Sequence, residues 1–151
     1  MANLTRPEDR FDLNRFVQAQ EEIYARALAE IKVGRKRSHW MWFIFPQIDG
    51  LGHSSTARFY AIKTKDEAEA YLNHPLLGKR LAECAEALLK IKGKPAEEIL
   101  GYPDDLKLRS SMTLFASVSQ PDSVFSRVLD KYYSSQPDGQ TLELLKHGPR
   151  S

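Results

Sequence analysis

Apolar residues return at intervals of three and four along most of this chain, and that spacing leaves little room for any architecture but packed helices. The clearest stripe is Leu77, Leu81, Cys84, Ala85, Leu88 and Ile91, which fall on one face of a 3.6-residue period. Phe16, Ile23, Tyr24, Ala27, Leu28 and Ile31 form another, and the spacing predicts one helix from Asp12 or Asn14, either of which is a good N-cap, to Gly34. Lys32, Arg35, Lys36 and Arg37 then sit where a helix dipole is negative. Further helices are expected from Asp66 to Asn73, from Pro75 to Gly93, from Pro95 to Leu100, from Pro103 past Val118, around Val124 to Tyr132, and from Asp138 or Thr141 onward. The run Trp40-Met41-Trp42-Phe43-Ile44-Phe45 has no period; a short helix ending before Pro46 is the expectation. Residues 47–57 read as a Gly- and Ser-rich loop, and Arg58 to Ile62 as a short strand or a helical turn. The reading is an all-α, single-domain bundle of about seven helices over residues 1–151, with room for one short β pair and with residues 1–11 as a flexible arm.

Composition supports a self-sufficient core. Of 151 residues, 42% are hydrophobic and the formal net charge is only +2, which argues against disorder. The near-neutral balance and a pI of 8.6 fall short of a dedicated nucleic-acid binder, so nucleic acid is not the expected partner. One cysteine, Cys84, excludes an intramolecular disulfide. No stretch reaches the roughly 20 apolar residues of a membrane span, and the polar N-terminus lacks a signal-peptide core. The expectation is a cytoplasmic protein with no membrane association.

Common catalytic and cofactor templates do not fit. The four histidines show no helical i, i+3 or i, i+4 pair and there is no CxxC, so no local metal site is expected. The phosphate loop GxxxxGK[ST] and the GxSxG elbow are missing, and Gly50-Leu51-Gly52 has Ser55 where a third glycine would stand. No cofactor is expected.

Four segments carry unusual chemistry. Arg35-Lys36-Arg37-Ser38-His39-Trp40-Met41-Trp42 joins cations to stacking faces, although a helix end followed by core aromatics is the plainer reading. A buried tryptophan needs a partner for its N–H. Phe45-Pro46-Gln47 with the glycines after it offers an amide and a turn. Lys107-Leu108-Arg109-Ser110-Ser111-Met112-Thr113 interleaves hydroxyls with large apolar side chains, and back-bonding to the preceding turn is the plainer account. Asn73-His74-Pro75 puts a histidine at a helix junction, as a cap or a titrating group.

The block from His39 to Gln47, followed by Gly50-Leu51-Gly52, resembles the uncharacterised bacterial domain-of-unknown-function family 1810. The resemblance continues through Ala70-Tyr71-Leu72, His74-Pro75, Leu77-Gly78, Arg80-Leu81, Lys107-Leu108 and Ser110-Ser111-Met112-Thr113-Leu114-Phe115. It implies a compact helical fold and brings no catalytic residues. The label calpastatin that often accompanies this family does not suit the sequence, because calpain inhibitors of that name resemble repetitive disordered chains and this chain has no repeats. A looser analogy, to NAD- and ADP-ribose-associated N-glycosidases, transfers no residue because their Glu-His-aromatic helix motif is missing; it rests on fold alone.

The functional expectation is therefore a pocket for a small anionic ligand, such as a nucleotide derivative, lined by His39, Trp40, Trp42, Gln47, Tyr60, His74, Lys107, Ser110 and Ser111. Trp40 or Trp42 would stack, Lys107 would supply charge, Ser110 and Ser111 hydrogen bonds, and His39 or His74 acid–base chemistry. The rival expectation is a non-catalytic module whose protein partner is unknown.

Overall fold

The structure, a computed structural model, describes residues 9–147. The described residues form ten α-helices: α1 (Asn14–Gln20), α2 (Tyr24–Val33), α3 (Met41–Ile44), α4 (Ser55–Phe59), α5 (Lys65–Asn73), α6 (Leu77–Lys90), α7 (Ala96–Leu100), α8 (Asp104–Ala116), α9 (Val124–Tyr133) and α10 (Gly139–His147). The all-α class follows from the periodicity. The short β pair reduces to one isolated parallel bridge between Ile48 and Ile62.

α8 is the element on which much of the bundle leans. It packs against α9, α10, α7 and α5, while α6 packs against α9, α2 and α5. The stripe read along α6 is buried as expected, with Leu77, Leu81, Cys84, Ala85 and Leu88 inside. One continuous core takes in Phe16, Trp40, Phe45, Tyr71, Met112 and Phe115. Aromatic edges link it, Phe16 to Tyr71 at 5.1 Å and Tyr71 to Phe115 at 5.3 Å between centroids.

Two of the ten helices were not expected as separate elements, one from a split in the first stripe and one inside the segment read as loop. The first stripe is not one helix: the chain leaves helical hydrogen bonding at residues 21–23 and restarts at Tyr24. The break is stabilised by tertiary bonds that a periodicity cannot show. Gln20 is buried, and its Nε2 donates to the Phe43 carbonyl at 2.8 Å and to the Tyr71 hydroxyl at 3.2 Å. α3 is the short helix expected before Pro46. α4 lies inside the segment read as loop, because the Ser54 hydroxyl caps it by accepting the Ala57 N–H at 3.1 Å. Residues 58–62 are thus the end of a helix followed by the bridge to Ile48.

The N-terminal expectations also need correction. Neither Asp12 nor Asn14 caps α1; Asp12 sits at φ +54°, and the Asp9 carboxylate accepts the N–H groups of Leu13 at 2.6 Å and Asn14 at 3.2 Å. Asp9 to Phe11 are therefore tied to the domain, with Phe11 packed against the core. The first eight residues of the expected arm lie outside the described residues.

α5 and α6 approach so closely at Gly78 that a Cβ there would meet the Leu72 carbonyl oxygen at 2.0 Å. Backbone cannot yield as a side chain can. Gly78→Ala is expected to lower stability by roughly 1–3 kcal/mol, the range for forcing extra volume into a packed contact. Gly139→Ala, where a Cβ meets nothing within 4 Å, serves as the control. Equal urea midpoints for the two variants would refute the close approach.

Candidate functional site

The segment between α2 and α3 is held by one carboxylate. Glu30 of α2 accepts the N–H of Arg37 at 2.9 Å, the N–H of Ser38 at 3.1 Å, the Ser38 hydroxyl at 2.7 Å and the Trp40 indole N–H at 2.8 Å. Burial acts to push this carboxyl up, but the hydrogen bonds prevail and hold it at about 2, below its usual 4.5. Trp40 is fully buried, so its indole N–H required a partner, and Glu30 is that partner.

The clamp lays the following cations against the tryptophans. Lys36 donates its backbone N–H to the Ile99 carbonyl at 2.7 Å, and its Nζ lies 5.0 Å from the Trp40 ring centre and 2.9 Å from Asp104 Oδ2. Asp104 opens α8, and one turn on Lys107 Nζ approaches Asp104 Oδ1 at 3.5 Å while standing 5.5 Å from the Trp42 ring centre. Two ammonium groups thus share one carboxylate over the faces of two tryptophans. Cation–aromatic contacts contribute about 0.5–1 kcal/mol where exposed and about 2 kcal/mol where desolvated.

Beside Lys107, Trp42 joins Gln47 and Tyr60 around a shallow crevice of about 10 Å³, closed by Gly52 and Ala57. That is room for a single water. The bridge fixes this wall: the Ile62 N–H donates to the Gln47 carbonyl and the Asp49 N–H to the Ile62 carbonyl, both at 2.8 Å. Tyr60 is flanked by Phe43 at 5.3 Å and by Phe59 at 4.8 Å, the latter 54% exposed.

Arg15 sets the position of Tyr60. It donates to the carbonyls on either side, Phe59 through Nε and Ala61 through Nη2, each at 2.8 Å. The same guanidinium donates to Glu67 at 2.7 Å, and the two side chains are 7% and 2% exposed.

The structure therefore brings Trp42, Gln47 and Tyr60 around one crevice, with Lys107 over the Trp42 ring and the neighbouring Lys36 over that of Trp40. It places the remaining candidates differently. His39 is exposed on the clamped segment. His74 Nδ1 accepts the N–H groups of Leu76 at 3.1 Å and Leu77 at 3.2 Å, which caps α6. Ser110 bonds back to the Leu106 carbonyl at 3.2 Å. Ser111 is fully buried, and among the described residues its Oγ has no partner. Cys84 is a packed thiol, with burial pushing it up to about 12. Glu30, Lys36, Asp104 and Arg15 were not among the candidates. The indole N–H of Trp40 was the one signal for Glu30; Asp104 stands in the first turn of the helix expected from Pro103, where any carboxylate favours the dipole. Among the described residues, no group of three or more His, Cys, Asp or Glu is arranged to hold a metal ion, and no helix is long and apolar enough to cross a membrane.

Fold and cluster together define an all-helical domain carrying a cation–tryptophan face. The chain belongs to the family described as protein of unknown function, DUF1810, whose sequence model matches residues 10–145. It is similar to the crystal structure of the conserved hypothetical protein Rv1873 from Mycobacterium tuberculosis, with 51% identity and a TM-score of 0.90 over 91% of this chain and 99% of that one. No curated protein matches it.

The Glu30 clamp has a pH signature. Its folded value lies below the unfolded one, so its contribution is complete above about pH 4.5 and is lost as pH falls toward 2. Urea unfolding of the parent chain is expected to show that loss, whereas Glu30→Gln should be less stable at pH 7 and show a smaller decline below pH 4.5. Parallel pH profiles would mean that the carboxylate is not what holds the segment.

Proposed function

We propose that the Trp42–Lys107 face binds a small anionic ligand with a planar group, of the nucleotide-derivative class. The observation that carries this reading is the sharing of Asp104 by Lys36 and Lys107, which leaves one positive charge over an accessible tryptophan. Lys107 is the freer of the two, with the longer contact and a side chain 30% exposed. A ring would lie on Trp42, its edge would meet the Gln47 amide, and its anionic group would meet Lys107. Because the crevice admits only a water, the ligand lies across the face and is not enclosed by it. Neither His74, whose Nδ1 is used in capping, nor the buried Ser111 takes part in this reading.

Thermal unfolding of the purified protein against nucleotides, ADP-ribose and sugar phosphates tests it. A ligand at one hundred times its dissociation constant adds about 2.7 kcal/mol of stability. Saturable stabilisation by a phosphate-bearing compound is expected, lost in Lys107→Ala and in Trp42→Ala. Lys36 still pairs with Asp104 in the first variant, so that protein should fold. Absence of any shift across the panel, or a shift that survives both substitutions, would overturn the reading.

A further inference from the structure

The C-terminal turns of α2 and α6 pack together and, with residues 91–94, form an open groove of about 720 Å³. Its floor is apolar: Ala87, Ile91 and Val33, the last 73% exposed. Its rim is mostly lysine. Lys94 is engaged with the Gly34 carbonyl at 3.2 Å, and of the two acids Glu83 accepts the Tyr24 hydroxyl. Lys32, Lys90 and Lys92 alone outnumber the two carboxylates, Glu83 and Glu86. Among the described residues, none of the three lysines has a carboxylate within 4.0 Å.

We propose that this groove docks an acidic, amphipathic peptide segment of a partner protein. Unpaired cations around an apolar floor are complementary to carboxylates flanking an apolar side chain. The backbone favours a peptide over other anions. Both helices end here, and among the described residues the carbonyls of Lys32, Val33 and Lys90 accept no backbone hydrogen bond. A peptide brings N–H donors for them, whereas a fatty carboxylate or a phosphate diester brings none. The apolar side chain covers Val33, and the carboxylates reach Lys32, Lys90 and Lys92. This surface is built from different residues than the Trp42 face, and the proposal stands without it.

The probe is a fluorescein-labelled synthetic peptide, Glu-Glu-Leu-Glu-Glu-Leu, titrated with the full chain by fluorescence anisotropy. Saturable binding is expected at low ionic strength, weakening as salt rises past about 0.1 M, where the Debye length falls to about 10 Å. Combined Lys32→Glu, Lys90→Glu and Lys92→Glu substitution, and separately Val33→Asp, should each weaken it about tenfold or more. The altered side chains are at the rim or exposed, so melting temperatures should stay near that of the parent and show that both variants fold. Trp42→Ala should bind as the parent does. Four outcomes would overturn the proposal: no saturable binding, equal binding by the lysine variant, equal binding of a peptide with serine in place of leucine, or binding of anionic vesicles but not of the peptide.

Discussion

The Arg15 guanidinium holds together parts of the chain that no helix connects. It donates to the carbonyls of Phe11 and Asp12 ahead of α1, to those of Phe59 and Ala61 around Tyr60, and to the Glu67 carboxylate in α5. Its planar face lies 4.4 Å from the Phe16 ring centre. A buried ion pair gains little over apolar packing, but loss of one partner costs about 3–5 kcal/mol because the other charge is stranded. Here the guanidinium also bonds four backbone carbonyls, those of Phe11 and Ala61 part-buried and those of Asp12 and Phe59 exposed. Its worth is thus mostly positional: it supplies order to a stretch too rich in turns to order itself.

Glu67 and Glu30 extend the same logic to the two sides of the candidate site. Thr64-Lys65-Asp66-Glu67 has the spacing of a capping box, and the Thr64 hydroxyl does accept the Glu67 N–H at 3.1 Å. The Glu67 carboxylate is diverted, however, to the Lys63 N–H at 2.8 Å and to Arg15. Glu30 plays the matching part for residues 37–40. Each carboxylate collects donors from an irregular segment and fixes it to a helix, so Tyr60 and Trp42 meet across a crevice neither segment would form alone. Rigidity in this region comes from hydrogen-bonded charge more than from secondary structure.

That explains what was legible in the sequence. Helices whose faces are decided by burial, such as α6 and α9, announce themselves through period alone. Gly34 ends α2 where a left-handed residue was expected, at φ +87°. The break after Gln20 was hidden because the apolar period runs on through it, and a polar amide inside the core leaves no pattern. α4 was hidden because one capping hydroxyl outweighs a glycine-rich approach. Charged residues were the hardest to place. Arg15, Glu30 and Glu67 sit among other charges in the sequence, and only their tertiary partners distinguish them from solvated ones, Trp40 lying 10 residues from Glu30 and Glu67 52 from Arg15. The aromatic cluster marked the right neighbourhood, and its lysines and glutamate became visible only in three dimensions.

Gly34 shows how closely the surfaces are coupled. The Gly34 N–H donates to the Ile31 carbonyl at 2.9 Å and the Arg35 N–H to that of Glu30 at 3.0 Å, the pair of bonds that defines a Schellman end. The turn before it carries Lys32 and Val33 to the groove. The segment after it carries Lys36 to Asp104. Lys94 reaches the Gly34 carbonyl from the far side, and a Cβ on residue 34 would meet its Nζ at 3.3 Å. A side chain at this position would strain a backbone that only glycine adopts freely and press on the lysine that braces it. One residue without a side chain therefore sets the angle at which the chain leaves α2, and with it the geometry of both basic surfaces.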